Sequence, residues 1–310
     1  MNYKTHSPVL LLLFNRPDTT RRVFEAIRLA APARLYIAAD GPRKDREQEA
    51  VLCVEAKEVV NHIDWPCEVK TLFREQNLGC KEAVSSAIDW FFEQEEEGII
   101  LEDDCLPSND FFRFCDQMLE RYRFDTRIRH IGGSNLQQGK QWGEASYYCS
   151  NLTHVWGWAS WRRVWQQYDK ELTAYTAEDV QNAFANIFTE PIIVNTWVQM
   201  FKQLNAGQID TWDYQLTFIN FFNNSLSIIP NVNLISNIGF GDGATHTIDA
   251  ANRYASLPHQ PLGNIVHPLY IVPQKQADYN TLAYDFDVER IKRKNAKLHR
   301  RIKRWFKNKR

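Results

Sequence analysis

The first third of the chain alternates short apolar runs with longer stretches of helical periodicity, and this alternation most constrains its fold. Four apolar runs predict strands at residues 9–14, 34–39, 68–73 and 98–101. Helices are predicted after them at residues 18–30, 45–62, 81–96 and 109–123. The first run is continuously apolar, as in a strand covered on both faces. This β-α repeat predicts an α/β fold with an open, mostly parallel sheet flanked by helices.

After about residue 125 the regular repeat ends. Extended segments are predicted at residues 128–131, 146–149, 226–230 and 232–235. Helices are predicted at residues 158–168, 177–188, 191–204 and 214–222. No Pro/Gly/Ser-rich linker separates the two parts, so we expect one domain over residues 1–288, with halves at about 1–125 and 126–288. A separate helical tail is predicted at residues 289–310.

Polar side chains follow the last apolar residue of every predicted strand in the first half. The groups are Asn15 and Arg16, Asp40, Asn77, and the triplet Glu102-Asp103-Asp104. In open α/β sheets, ligands bind in the crevice at the carboxyl ends of the strands. Ordinary loop polarity would also produce some polar residues at these positions. The pattern nevertheless predicts a binding site at this edge of the sheet.

The triplet Glu102-Asp103-Asp104 is the sharpest local feature. Three consecutive carboxylates repel one another unless a cation or water relieves them. Oxygen ligands suit Mg²⁺ or Mn²⁺, and an ion held by one or two carboxylates takes its other ligands from water and substrate phosphates. The alternative is a solvated acidic turn in which Asp104 or Ser108 caps the next helix. The position directly after a buried strand favours the metal site.

Several common sites are excluded by missing motifs. The sequence has no G-x-x-x-x-G-K-[ST] phosphate loop, no G-x-G-x-x-G after the first strand, no G-x-S-x-G and no H-E-x-x-H. Its six cysteines form no C-x-x-C pair, and no apolar run approaches the roughly 20 residues that span a bilayer. We therefore expect reduced thiols and a cytoplasmic location.

Four motifs in order carry a resemblance to a known family. They are Asn15-Arg16-Pro17, Asp40-Gly41-Pro42-Arg43, Asn77-Leu78-Gly79 and Glu102-Asp103-Asp104. In this order they resemble nucleotide-sugar glycosyltransferases of the GT-A fold, similar to the N-acetylglucosaminyltransferase I branch. The segment at residues 154–163 is typical of bacterial proteins described as sugar transferases or hemolytic-protein-like. The resemblance covers roughly residues 8–250 and makes the first half the nucleotide-sugar half and the second the acceptor half.

The resemblance implies a role for each motif. Asn15 and Arg16 would lie near the nucleotide base or phosphates, and Asp40 would accept a hydrogen bond from uracil, which favours UDP. Glu102 and Asp103 would contact the sugar and ribose. Asp104 would bind the Mn²⁺ or Mg²⁺ ion that bridges the diphosphate.

One position departs from the pattern of the N-acetylglucosaminyltransferase branch. That branch has a histidine in the loop after the third strand, and residues 74–81 contain none. Asn77 or Lys81 would take over its contacts with the nucleotide sugar.

The second half supplies candidates for the base and for acceptor contacts. By resemblance, Asp213 in the segment Asp210-Thr211-Trp212-Asp213 is the general base of an inverting transfer. Asp210 is the second choice, and helix capping is the alternative for Asp213. His246, in a glycine-rich stretch at residues 236–246, would contact the diphosphate or metal, or be an ordinary loop histidine.

Three further residues are weaker candidates for the acceptor site. Trp156 and Trp158 would stack on an acceptor sugar, or would pack in the core. His154 would line the same pocket.

The net charge of −1 hides an uneven distribution. Residues 290–310 hold 12 Lys/Arg and no Asp/Glu, which leaves residues 1–289 with 25 basic and 38 acidic side chains, a net charge of −13. Ile291, Leu298, Ile302, Trp305 and Phe306 form one stripe of a basic amphipathic helix. This pattern predicts attraction to an anionic membrane, and the alternative is a solvated tail.

The interpretation that joins these features is a metal-dependent inverting glycosyltransferase at the inner membrane face. It would move a sugar from a UDP-sugar to a saccharide or lipid-linked acceptor in bacterial surface polysaccharide assembly. A nucleotidyltransferase with the same acidic metal site is one alternative. A nucleic-acid-binding protein that uses the basic tail is another, although the acidic body would repel a polyanion, so nucleic acid is not the expected partner.

Overall fold

The computed structural model describes residues 2–240 and 252–307, and a mixed sheet forms the centre of the molecule. Its strands are β1 (Val9–Leu13), β2 (Arg34–Ala39), β3 (Glu68–Phe73), β4 (Glu97–Glu102), β6 (Ile128–Gly132), β7 (Tyr147–Ser150), β8 (Trp158–Trp161) and β9 (Leu226–Pro230). Two short strands, β5 (Cys105–Pro107) and β10 (Ile235–Asn237), pair separately and antiparallel.

The eight strands form a parallel part followed by a part that contains antiparallel pairs. It runs β3-β2-β1-β4-β8-β6-β9-β7, and the first four strands are parallel. β8 is antiparallel to both β4 and β6, β9 is parallel to β6, and β7 is antiparallel to β9. The order 3-2-1-4 is that of a Rossmann-like nucleotide-binding half. The predicted α/β class with a helix-flanked, mostly parallel sheet is therefore confirmed.

Helices cover both faces of the sheet. They are α1 (Pro17–Ala30), α2 (Glu47–Lys57), α3 (Cys80–Gln94), α4 (Asn109–Tyr122), α5 (Arg162–Trp165), α6 (Ala177–Phe184), α7 (Pro191–Asn205), α8 (Asp213–Phe222), α9 (Lys275–Asp285) and α10 (Val288–Lys307). A 3₁₀ turn at Glu58–His62 ends the second predicted helix.

The predicted helix at residues 158–168 is wrong in its first turn. Residues 158–161 form β8, and only residues 162–165 are helical. All four residues of β8 are buried because the strand lies between β4 and β6. A strand buried on both faces has no polar alternation to distinguish it from a short buried helix.

β1 shows why the first apolar run is continuous. Val9, Leu11 and Leu13 pack with α1 in one core cluster, whereas Leu10 and Leu12 pack with α3 in another. Successive side chains of a strand point to opposite faces, so a strand with helices on both sides must be apolar throughout. The side chains of β1 itself are therefore buried, and the polar residues that follow the strand are the first that could contact a ligand.

A separate apolar core lies among the helices of the second half. α6, α7 and α8 meet around Phe184, Trp197 and Phe218, and the start of α10 adds the buried Val288. Strands from both predicted halves belong to the single large sheet, and the domain limits themselves stay predictions. Among the helices described, none is both long and apolar enough to cross a membrane.

The buried side chain of Asp278 joins α9 to the end of β7, and its ionisation makes the stability of this contact depend on pH. Its carboxylate accepts hydrogen bonds from Ser150 Oγ (2.5 Å) and from the Asn151 N–H (3.0 Å). Burial raises the pKa of Asp278 to about 6, although both bonds oppose the rise. The folded state therefore binds a proton between about pH 4 and pH 6 that the unfolded chain has lost.

We expect this carboxyl group to lower the free energy of unfolding as pH rises through that window. Replacing Asp278 with asparagine should remove that part of the pH dependence and raise stability at pH 7 by up to about 2 kcal/mol. Urea unfolding of both proteins at pH 4, 5, 6 and 7 measures this. An unchanged slope between pH 4 and pH 6 would show that Asp278 is ionised throughout.

Candidate active site

The acidic triplet lies where β4 ends, beside the end of β1. The N–H of Phe14 donates to Asp103 Oδ2 (3.1 Å), and Arg16 Nη1 lies 2.6 Å from Asp104 Oδ2 in an ion pair. β1 and β4 are parallel neighbours, so their carboxyl ends meet at one edge. Two of the sequence motifs are thereby joined by the ion pair between Arg16 and Asp104.

The triplet concentrates negative charge in a buried place. Burial raises the pKa of Glu102 well above its ordinary value, and the charges of Asp104, Asp103 and Asp213 add to the effect. Burial and Asp104 likewise raise the pKa of Asp103 to about 7, against the lowering effect of Arg16 and the Phe14 N–H. A positive ligand at this turn would relieve the repulsion among these groups.

The segment after β10 packs directly on Asp104. The Ile238 N–H donates to the Asp104 carbonyl (2.8 Å), and the antiparallel β5-β10 pair holds the two segments together. A Cβ atom at position 239 would lie 2.7 Å from Asp104 Cγ, closer than non-bonded carbons approach. Position 239 therefore requires glycine, and the backbone there covers one side of the carboxylate.

Asp40 connects the end of β2 to the loop after β3. Its Oδ1 accepts from the N–H of Gly41 (2.9 Å), its Oδ2 accepts from Asn77 Nδ2 (2.9 Å), and the Leu78 N–H lies 3.1 Å from both oxygens. Burial raises the pKa of Asp40, against the effect of these N–H donors. Asp40 and Asn77 therefore lie together, and a base that donates a hydrogen bond to Asp40 would share its carboxylate with these internal donors.

Asp210 caps α3 from the other half of the chain. Its Oδ2 accepts from the Cys80 N–H and its Oδ1 from the Lys81 N–H, both at 3.0 Å. These N–H groups are among the four that a helix leaves without partners at its start. Lys81 Nζ forms an ion pair with Glu171 (2.8 Å). The structure thus gives Asp210 a capping function and places Lys81 beside it.

Asp213 is the first residue of α8, where the helix dipole favours a negative charge. Thr211 Oγ1 donates a hydrogen bond to Asp213 Oδ1. Burial raises the pKa of the Cys80 thiol to about 12, and the charges of Glu102, Asp210, Asp213 and Asp40 add to it. The charges of carboxylates from the acidic triplet, from the end of β2 and from the start of α8 therefore all act on Cys80.

Asn15 lies on the border of a cleft of about 760 Å³. Its Nδ2 donates to Glu49 Oε1 (2.9 Å), and Arg43 forms an ion pair with the same buried glutamate. Hydrogen bonds from Arg43 hold the pKa of Glu49 at about 2 despite its burial. The cleft is further lined by Lys44, Asp45, Arg46, Gln48 and Leu52. No sequence motif indicated Glu49, because it is one acidic residue in a strongly charged stretch.

The three acceptor candidates do not share one environment. Trp158 is a buried core residue whose ring stacks on His130 (centroids 5.2 Å apart) and on Trp212 (5.7 Å). Trp158 therefore packs in the core, which is the alternative that the sequence left open for it. Burial lowers the pKa of His154 to about 4, so its imidazole is neutral at pH 7.

Trp156 is half-buried and faces a different group of aromatic rings. Its ring meets Phe240 edge-on at 5.7 Å and Tyr254 at 6.3 Å. Phe240 follows Gly239, which packs on Asp104. Trp156 is therefore the acceptor candidate whose position remains compatible with the predicted stacking on a sugar. His246 lies outside the described residues.

The donor chemistry of the acidic turn fits an ion held through one carboxylate. Within residues 2–240 and 252–307, no three His, Cys, Asp or Glu side chains converge as a complete metal-binding group. Asp104 offers hard carboxylate oxygens, and Mg²⁺ commonly binds through one or two carboxylates plus substrate phosphates and water. Arg16 already neutralises part of the charge on Asp104.

The fold and the site together define an α/β protein with a Rossmann-like half and an acidic cluster at the carboxyl ends of its parallel strands. No family model matches the chain, and no curated protein sequence matches it. A structural similarity is found to a structure described as apo UDP-glucose pyrophosphorylase, with 12% identity over 74% of this chain and 92% of that chain and a TM-score of 0.35.

Proposed function

We propose that this protein is a metal-dependent inverting glycosyltransferase of the GT-A type that uses a UDP-sugar donor. The observation that carries the proposal is the packing of the start of α8 on the strands that end at the acidic turn. Trp212, the neighbour of Asp213, and Leu216 belong to one core cluster with Leu12 of β1 and Ile100 of β4. The charge of Asp213 also contributes to the raised pKa of Glu102. Transfer of a sugar requires a donor site and a base beside it, and we assign these roles to the acidic turn and to Asp213.

The donor side is supported by the ends of β1, β2 and β4. Arg16, paired with Asp104, and Asn15, on the border of the cleft, would meet the negative charge of a nucleotide diphosphate. Asp40 and Asn77, or Lys81, would complete the contacts with the nucleotide. Glu102 and Asp103 would bind sugar and ribose hydroxyls, since carboxylate oxygens accept hydrogen bonds from hydroxyl groups.

The chemistry needs one proton transfer and one exchange of bonds at the anomeric carbon. The acceptor hydroxyl attacks that carbon from the face opposite the diphosphate, the carbon–oxygen bond to the diphosphate breaks, and the diphosphate leaves with the electron pair. Asp213 takes the proton of the attacking hydroxyl as general base. A Mn²⁺ or Mg²⁺ ion on Asp104 would stabilise the charge of the leaving diphosphate. His246 is proposed to contact the diphosphate from the stretch beyond Phe240.

The acceptor is proposed to be a saccharide or lipid-linked saccharide of bacterial surface polysaccharide. Trp156 and the neutral His154 would meet it on the side of the second half. The basic helix is proposed to hold the enzyme on the inner, anionic face of a membrane through residues 290–310, where such an acceptor would be embedded.

A panel of UDP-sugars with Mn²⁺ tests the proposal, with released UDP as the readout. We expect one or a few UDP-sugars to be hydrolysed slowly without acceptor, and a chelator to abolish the release. Release of pyrophosphate from UTP and a sugar 1-phosphate would instead establish the nucleotidyltransferase alternative. Salt-sensitive RNA binding that disappears when residues 290–310 are removed would favour the nucleic-acid alternative.

A further inference from the structure

An exposed apolar ridge lies on the segment that precedes α9. Val266 (55% exposed), Leu269 (97%), Tyr270 (71%) and Val272 (59%) face away from the protein, and we call these four residues the apolar ridge. Ile265 and Ile271, which alternate with them, pack against the main core. Large apolar side chains exposed together in this way mark a surface that meets a partner.

The ridge is fixed to the edge strand β7 at both ends. The Ser146 N–H donates to the Val266 carbonyl (2.8 Å), and the Gln274 N–H donates to the Cys149 carbonyl (2.7 Å). Between them, Tyr147 Oη and His267 Nδ1 lie 2.9 Å apart in a hydrogen bond. The apolar side chains are therefore presented by an ordered backbone, so their burial against a partner requires little further ordering of the chain.

The first turns of the basic helix α10 contact α9, the helix that follows the ridge in the chain. Helix α10 turns back along α9, because the Asp287 N–H donates to the Tyr284 carbonyl and Lys292 Nζ lies 3.3 Å from Tyr279 Oη. Lys292 also forms an ion pair with Glu190 at the start of α7 (2.7 Å). These contacts fix the first turns of α10 antiparallel to α9.

The direction of these first turns points the rest of α10 towards the start of α9, which directly follows the ridge. From Tyr279 back to Lys275, α9 spans about 6 Å, whereas α10 is long enough to continue for about 22 Å beyond Lys292 at 1.5 Å per residue. A straight continuation would carry the basic helix past Lys275, three residues after Val272 of the ridge.

We infer that the apolar ridge and α10 form one docking surface for an anionic lipid bilayer, with the ridge entering the interface and the helix lying along the headgroups. Basic side chains are attracted to an anionic leaflet, and exposed Leu and Tyr side chains are suited to the boundary between headgroups and acyl chains. A further basic side chain, Arg121, lies near the ridge. Burial lowers the pKa of His267, which lies between Val266 and Leu269, and the charge of Arg121 lowers it further. A second copy of the chain docked here would bring two strongly basic helices together, which their repulsion opposes.

This inference shares the membrane partner of the proposed function, but it does not depend on the reaction. Flotation of the full-length protein with vesicles tests it, using phosphatidylcholine alone and phosphatidylcholine with about 30% phosphatidylglycerol. The variant Leu269→Ser/Tyr270→Ser should bind the anionic vesicles about 10- to 100-fold more weakly than the parent, because two large apolar side chains no longer leave water. Part of this difference should persist at 0.5 M salt, where the attraction of α10 is screened.

A control variant with equally exposed apolar residues elsewhere on the protein tests whether the loss of vesicle binding is specific to the ridge. Val51 and Val54 are exposed to a similar degree (59% and 60%) on α2, away from the ridge, and Val51→Ser/Val54→Ser should bind vesicles like the parent. Thermal unfolding of both variants should match the parent, because none of these side chains belongs to the core. UDP release in the absence of vesicles should be unchanged in the ridge variant, which separates failure of docking from failure of the proposed chemistry.

Two outcomes overturn the inference. Equal binding of parent and ridge variant to anionic vesicles would leave the ridge with no part in docking. A parent that sediments as a dimer, together with a ridge variant that is monomeric and binds vesicles normally, would assign the ridge to self-association instead.

Discussion

Replacing Asp104 with asparagine is expected to reduce kcat/KM for metal-dependent UDP release by about 10²- to 10³-fold. This is the range found when one group that stabilises charge is removed from an active site. Asparagine has nearly the same shape but lacks the charge that holds Arg16 at 2.6 Å and that would bind a divalent ion. Calorimetric titration with UDP and Mn²⁺ should show weaker binding as well. Steady-state UDP release over a range of Mn²⁺ concentrations measures the loss.

The matched control for this experiment is Asp18→Asn on α1. The Asp18 side chain is 94% exposed and pairs with Arg21 on the same helix, so this change removes an equal charge from outside the site. We expect its kinetics to equal those of the parent. An Asp104→Asn protein that keeps the parental response to Mn²⁺ would exclude Asp104 as the metal ligand.

Asp213→Asn is expected to lower kcat by about 10²- to 10⁴-fold, the usual contribution of a general base. Binding of UDP should be nearly unchanged, since the proposed partner of Asp213 is the acceptor hydroxyl and not the nucleotide. Single-turnover transfer to a saccharide acceptor, once one is found, together with titration of UDP, separates these two effects.

Asp210→Ala is the informative comparison because Asp210 was the second candidate for the base. This variant should lose about 0.5–2 kcal/mol of stability, as two N–H groups at the start of α3 lose their acceptor. Its loss of kcat should be much smaller than that of Asp213→Asn. The reverse pattern, with the larger catalytic loss at position 210, would assign the base to Asp210.

The strand-end residues could be predicted because their signal is local. An apolar run that stops at a charged or amide residue identifies a strand end, and parallel neighbours bring their ends to one edge. The contacts from Asp103 to Phe14, from Asp104 to Arg16 and from Asp40 to Leu78 all follow from that rule. Their roles towards a ligand remain proposals.

The remaining contacts depend on partners that are distant in sequence. The bond from Cys80 to Asp210 joins residues 130 positions apart, and nothing near Asp210 distinguishes its role from that of Asp213. Trp158 belongs to the core because β8 is inserted between β4 and β6, and this order is set by the tertiary arrangement. The requirement for glycine at position 239 likewise arises only when the segment after β10 meets Asp104.

The capping of α3 by Asp210 has a consequence for how this protein can diverge. Through that cap, the segment that carries Asp213 is fastened to the parallel strands, although it comes from the later part of the chain. The outer helices α6 and α7 pack with α8 in a core apart from the large sheet, so side-chain changes there can reach Asp213 through α8. The cap opposes such a shift, because Asp210 stays bonded to the start of α3. Mutations in the outer helices can therefore reshape the surroundings of the site while the cap limits the movement of Asp213.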